Sequence, residues 1–343
     1  MSHEITSTDG LVLARTGAWH GLGQVLPQAP TVREAFRLAG LGWRVERSPI
    51  YIDRAAVIPS GSNPVDLDGP ASADLYRSPD KVALVRSDTA DVFEVVGKGY
   101  EVFQNDELAD LVEGLSRAKA TQLAETAGSL RGGRNVFALV PRGEYLADGA
   151  GGSDLVRNFL LFSNSHDGTG SLIILPTEVR VVCANTLAMA TAGVRIRHTL
   201  NARDRVAEAV AAMNVLDKAA GERRTTVQRL ASTPMTEEDR RIFFLKVYER
   251  AFGALRGTPT TATDRAAHER AQETIGSWLA NLDSARTYQT GTVWHAFNAV
   301  TEWSDHARRV KGDSRDARVY SNLLGTSAGF KEEVFELATQ AAG

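Results

Sequence analysis

Six polar residues crowd residues 158–189: Asn164, His166, Asp167, Glu178, Arg180 and Asn185. Their types suit proton transfer and phosphoryl chemistry. The imidazole of His166 has an unperturbed pKa near neutrality and can serve as general acid or base. The carboxylates of Asp167 and Glu178 are hard oxygen donors of the kind that hold magnesium. Arg180 stands two residues from Glu178, so on a strand both lie on one face and can pair. His20 extends the set. It sits in Trp19-His20-Gly21-Leu22-Gly23, where two glycines let a backbone approach a ligand closely. Candidate catalytic residues are therefore His166, Asp167, Glu178, Arg180, Asn164 and His20. Each also has an ordinary structural job as hairpin tip, ion pair or helix cap. No organic cofactor motif is evident, and a divalent metal is the cofactor these carboxylates would allow. Gly21-x-Gly23 lacks the third glycine and the preceding strand of a dinucleotide fingerprint, and Gly97-Lys98-Gly99 lacks the spacing of a phosphate loop.

These residues need a scaffold. Residues 158–163 are rich in Leu and Phe and predict a strand, His166-Asp167-Gly168-Thr169-Gly170 predicts a tight turn, and residues 172–183 predict the return strand. One face of that strand carries Ile173, Leu175, Thr177, Val179, Val181 and Cys183; the other carries Glu178 and Arg180. Pro176 lacks an N–H and predicts an edge or a bulge. Asn185 or Thr186 is expected to cap a short helix through Ala190. Cys183, the only cysteine, is expected to be buried and inert on its apolar face. Its solitude excludes an internal disulfide and a multi-cysteine zinc site.

Around this stretch the chain alternates. Thr31 and Glu34 form a capping box, residues 43–52 read as a strand, and residues 59–76 as a Pro-, Gly- and Asp-rich loop. Residues 81–86 and 92–96 pair as a hairpin, and Asn105 is expected to cap a helix to about Ala118. Residues 121–130 and 135–141 form the next hairpin, turned at Arg131-Gly132-Gly133-Arg134, and Gly-rich residues 147–153 predict a loop. Residues 194–200 give one more strand. Helical spacing then takes over, broken at Pro234 and restarted by Thr236 with three acidic residues. Gly291-Thr292 opens a helix whose Trp294, Phe297, Val300 and Trp303 share a face, which is core more often than a stacking surface. The expected fold is α+β: an antiparallel, hairpin-based sheet with helices over residues 1–200, and a mostly α-helical domain or extension over residues 201–343.

Composition narrows the function. With 343 residues, 43% hydrophobic and 24% charged, the chain can bury a substantial core. No run approaches the ~18 apolar residues of a membrane span, and the first residues lack the pattern of a signal peptide, so a cytoplasmic protein without membrane contact is expected. The net charge of −3 hides an asymmetry. Residues 1–194 hold 17 basic and 23 acidic groups, and residues 195–343 hold 22 and 19. That is far from the profile of an obligate duplex-DNA binder. The candidate nucleic-acid contacts are Arg131 and Arg134 in the Gly-Gly turn, Arg195 and Arg197 on the late strand, and Arg308, Arg309 and Lys311 after the aromatic helix.

Five segments, WHGLG, GKGYEVFQN, AGSLRGGRNVFAL, FLLFSNSHDGTGSLIILPTEVRVVCANTL and GTVWHAFNAVTEWSDH, occur in order along the chain. Together they resemble the phage/plasmid-like protein family, which is described only as a domain of unknown function. The resemblance implies a protein of mobile elements acting in the bacterial cytoplasm, and implies no activity. Three functions remain open: single-stranded nucleic-acid binding or annealing, with Tyr100, Phe103, Trp294 and Trp303 as stacking aromatics; an enzyme acting on phosphate-containing or nucleic-acid substrates; and a non-catalytic protein binding a host factor. The expected partners are accordingly single-stranded nucleic acid, a second copy of the chain, or a host protein.

Overall fold

A computed structural model of the chain describes residues 11–14, 24–53, 75–117, 124–149, 152–180, 186–188, 193–199, 213–255, 257–283, 291–312 and 314–343. The elements in chain order are β1 (Leu11–Ala14), β2 (Gln24–Leu26), α1 (Val32–Leu38), β3 (Val45–Asp53), β4 (Leu75–Arg86), β5 (Val92–Gly97), α2 (Asn105–Arg117), β6 (Thr126–Leu130), β7 (Asn135–Gly149), β8 (Gly152–Ser165), β9 (Leu172–Arg180), β10 (Thr186–Ala188) and β11 (Val194–Ile196). Six helices come next among the described residues: α3 (Met213–Ser232), α4 (Glu237–Phe252), α5 (Ala262–Asp283), α6 (Val293–His306), α7 (Arg315–Leu323) and α8 (Thr326–Ala341). The fold is α+β. Among the described residues no helix is long and apolar enough to cross a membrane.

The large sheet has the order β10-β9-β8-β7-β6-β1-β2, with β11 also pairing β9. Among its described pairings only β1–β2 is parallel. Its centre is the β7–β8 hairpin, which stays paired out to Gly149 and Gly152. The glycine-rich loop expected at residues 147–153 is thus largely strand. Ladder bonds come from the backbone, so glycines at a hairpin end do not prevent pairing, and Ala147 and Asp154 are buried there. A second departure is β10. The expected helix start at Thr186 is a strand that pairs with Thr177–Val179, while β11 pairs with Leu172–Ile174. Pro176 falls between these two pairings, where its missing N–H removes no bond of either short strand.

Helix caps follow the sequence. The hydroxyls of Thr31, Thr236 and Thr292 accept from the backbone N–H three residues on, at 3.3, 3.1 and 3.2 Å. Asn105 departs from expectation. Its side chain turns inward instead of capping α2, and the Glu107 carboxylate accepts from Gln104 N–H at 2.7 Å.

Alternation along the strands buries both faces of the large sheet. Val136, Ala138, Leu160, Phe162, Leu172 and Ile174 pack with α1, α2 and the inner face of a second sheet, β3-β4-β5. Phe137, Leu139, Leu161, Ile173 and Leu175 pack against Val319 and Leu323 of α7 and Ala328 of α8. The helical half forms a third core that includes Tyr145, Ala147 and Val156 of the long hairpin. Trp294 and Phe297 lie in that core, and the Trp294 indole donates to Asp154 at 3.0 Å.

Candidate functional site

The hairpin separates polar residues that stand close together in the sequence. Glu178 pairs with Asn158, eight residues before His166. At about 3.3 Å per residue the two sites stand roughly 25 Å apart. Residues meet across a hairpin only when they stand about equally far from its turn, so Asp167 in the turn and Glu178 well along β9 do not share a metal. No group of three potential metal ligands occurs among the described residues. His20 and Asn185 lie outside the described residues, as does the side chain of Arg180, whose backbone pairs with Val156.

Around His166 the surroundings are those of a core. Its ring is 1% exposed, bonds Asn105 Oδ1 at 2.9 Å, and lies against Trp43 and Phe93. Burial, reinforced by the neighbouring His198, pulls its pKa down to about 3, against the pull of Asp167. The imidazole is buried and neutral near pH 7, which suits packing rather than proton transfer. Asn164 donates to Phe103 O at 2.6 Å. For Asp167, burial alone would raise the pKa. Hydrogen bonds from Thr169 and Ser165, with the Arg131 guanidinium 3.0 Å away, outweigh burial and hold the carboxyl below its usual range.

Glu178 sits in a second buried cluster. Tyr145 donates to it at 3.0 Å, and Arg223 of α3 approaches at 3.3 Å. Arg223 also pairs with Glu332 at 3.2 Å and lies 3.6 Å over Phe335 of α8. Burial raises the Glu178 pKa despite Arg223, and raises that of Tyr145 as well. The cluster joins β7 and β9 to α3 and α8.

Several of the expected phosphate-gripping cations are occupied. Arg131 bonds Asn135, pairs with Asp167 and lies 5.0 Å over Tyr320. Arg134 bonds the carbonyls of Arg131 and Val92. Arg308 lies 4.5 Å over Phe330, and burial lowers its pKa. Arg195, Arg197, Arg309 and Lys311 are exposed. The expected stacking aromatics are packed instead: Tyr100 on His198, Phe103 and Trp294 in the core, Trp303 against Trp278 and Phe330.

The open basic site lies on the small sheet, where the sequence reading places none. Arg47, Arg77, Ser78, Pro79, Lys81, Val82 and Lys98 line a single concavity. It exists because Pro49 pairs with Val82 while Tyr51 pairs with Arg77, so residues 78–81 of β4 bulge opposite Ile50 alone. Lys98 fixes the bulge, its backbone N–H donating to Asp80 O at 3.0 Å and its ammonium pairing with the Asp80 carboxylate at 3.1 Å. The Arg47 guanidinium donates to the Lys98 carbonyl. Arg77 and Lys81 have no acidic partner among the described residues. Next to the cup the β3–β4 ribbon exposes Tyr51 (53%) and Tyr76 (43%). The one signal in the sequence is Gly97-Lys98-Gly99. Its lysine does face a groove, but the remaining cations come from positions that only the bulge brings together.

A family model described as Domain of unknown function (DUF932) matches residues 92–324. No curated protein matches, and no solved structure matches.

Proposed function

The chain belongs to the DUF932 family, and from that premise we propose that it binds single-stranded nucleic acid on the β3-β4-β5 sheet. Arg47, Arg77, Lys81 and Lys98 grip phosphate, and Tyr51, paired with Arg77 on the same face, offers its ring to a base. The observation that carries this reading is the convergence of four cations on one concavity beside the exposed Tyr51. Single-strand binders combine these two features, a positive groove and aromatic stacking. Lys98 lies within the family match, whereas Arg47, Arg77 and Lys81 precede it, so the reading concerns this chain. The resemblance of its five segments to phage/plasmid-like proteins supports a role in the DNA metabolism of mobile elements.

The test is fluorescence anisotropy of a labelled single-stranded oligonucleotide across a salt series. Binding is expected to weaken with salt, with a log–log slope lowered by about 0.7 for each phosphate contact removed, hence by about 1.4 in Arg77→Ala/Lys81→Ala. Tyr51→Ala is expected to cost ~1–3 kcal/mol. Absence of binding at low salt would sink the proposal.

A second reading, a host-protein partner, is favoured by Ile242, Leu245 and Phe252, which α4 exposes by 40–47%. Unchanged nucleic-acid binding by Ile242→Glu/Leu245→Glu, with loss of a protein captured by the unmodified chain, would assign that face.

A further inference from the structure

We infer that the small-sheet concavity receives a terminal phosphate of the strand, a phosphomonoester, in preference to an internal phosphodiester. The inference rests on the binding reading above and specifies its ligand.

Three observations carry it. The first is shape. Residues 78–81 of β4 lose their β3 partners and return opposite one residue of β3, while Lys81 stays paired with Gly97 of β5. The resulting cup is pinned to β5 through Lys98–Asp80 and to β3 through Arg47–Lys98. The depression is open to solvent, and a terminal phosphate seats in it without the strand having to bend both in and out again.

The second is charge. Among the described residues, the one ion pair these four cations make is Lys98–Asp80, exposed on both sides, where screening leaves it weak. Arg77 and Lys81 are without an acidic partner among the described residues. An internal phosphodiester brings one negative charge. A phosphomonoester brings about −1.5 to −2 at neutral pH and a third strong acceptor oxygen. It therefore relieves more of the mutual repulsion of the cations and engages more of their donors.

The third is register. Tyr51 stands directly across from Arg77, so a phosphate held by Arg77 leaves its own nucleotide beside an exposed phenol ring. Gly97 and Gly99 leave the approach open, with no atom within 4 Å of the place a Cβ would take.

The experiment uses the full chain and three oligonucleotides of one sequence, labelled internally: 5′-phosphorylated, 3′-phosphorylated, and hydroxyl at both ends. One phosphorylated form is expected to bind about tenfold tighter than the hydroxyl form at low salt. In Arg77→Ala/Lys81→Ala that preference is expected to vanish while circular dichroism stays unchanged, since both side chains are exposed. Equal binding of all three forms, weakened together by the double substitution, would overturn the inference and leave the nucleic-acid reading standing. Binding unaffected by the substitutions would remove the cup from both. No binding by any form would end both.

Discussion

His166 is neutral by construction, and this makes the protein's stability depend on pH with a definite sign. Its folded pKa is about 3 against ~6.5 in the unfolded chain. Between those values the unfolded state binds the proton and the folded state does not, so stability is complete above about pH 6.5 and declines as pH falls. His198, also lowered by burial, acts in the same direction. Glu178 has a raised pKa and acts oppositely, its folded form gaining stability as pH falls through that value. Denaturant unfolding from pH 7.5 to pH 5 should therefore show a loss of up to ~1.4 kcal/mol per pH unit for each histidine. His166→Gln, which removes one titration and leaves Glu178 in place, should flatten the slope. An unchanged slope would mean that His166 titrates normally and that its packing among Trp43, Phe93 and Asn105 opens to water. Asp167, whose pKa is lowered, stays charged throughout this window, and its contribution is lost only at more acidic pH.

At the scale of elements, Arg223 is where α3 and α8 grip the sheet. Glu178 and Glu332 lie on either side of it, and Glu178 is buried. Arg223→Met is expected to cost ~3–5 kcal/mol, because an uncompensated carboxylate is left in the core. Adding Glu178→Gln should recover part of that loss in the same unfolding experiment. If the double variant is no better than the single one, the arginine stabilises through Phe335 and Glu332 instead. This clasp is not legible in the sequence, and the reason is geometric. Glu178 groups with His166 when only chain separation is known, yet a hairpin turns that separation into distance along two strands. Local chemistry is legible: the caps at Thr31, Thr236 and Thr292, the turns at residues 131–134 and 166–170, and the aromatic face of α6 all act at short range. The strand at Thr186–Ala188 is not, since its pairing depends on the free edge of β9 rather than on its own residues. The basic cup depends likewise on a register shift that no periodicity reveals.

For the whole molecule, the composition changes near residue 201, but the large sheet needs the helices beyond that point. One of its faces, with Phe137, Leu139, Phe159, Leu161, Ile173 and Leu175, is closed by Val319, Leu323 and Ala328. The far end of the long hairpin carries Tyr145, Ala147 and Val156 into the helical core. Exposing such a face would forfeit ~1.5–3 kcal/mol for each large side chain uncovered, against a total stability of only ~5–15 kcal/mol for a typical domain. A fragment of residues 1–200 is thus expected to bind a hydrophobic dye and to unfold without a sharp transition, while the full chain unfolds in one transition seen alike by tryptophan fluorescence and far-UV circular dichroism. Tryptophan fluorescence draws on both halves, through Trp43 in the sheet core and Trp278, Trp294 and Trp303 in the helical half. Far-UV circular dichroism is dominated by the helices. A single fluorescence transition that coincides with the dichroism curve therefore means that sheet and helices share one cooperative core. A cooperatively folded fragment, or two separated transitions in the full chain, would make the change near residue 201 a true domain boundary. It would also free the small sheet, with its basic cup, to be studied apart from the helices.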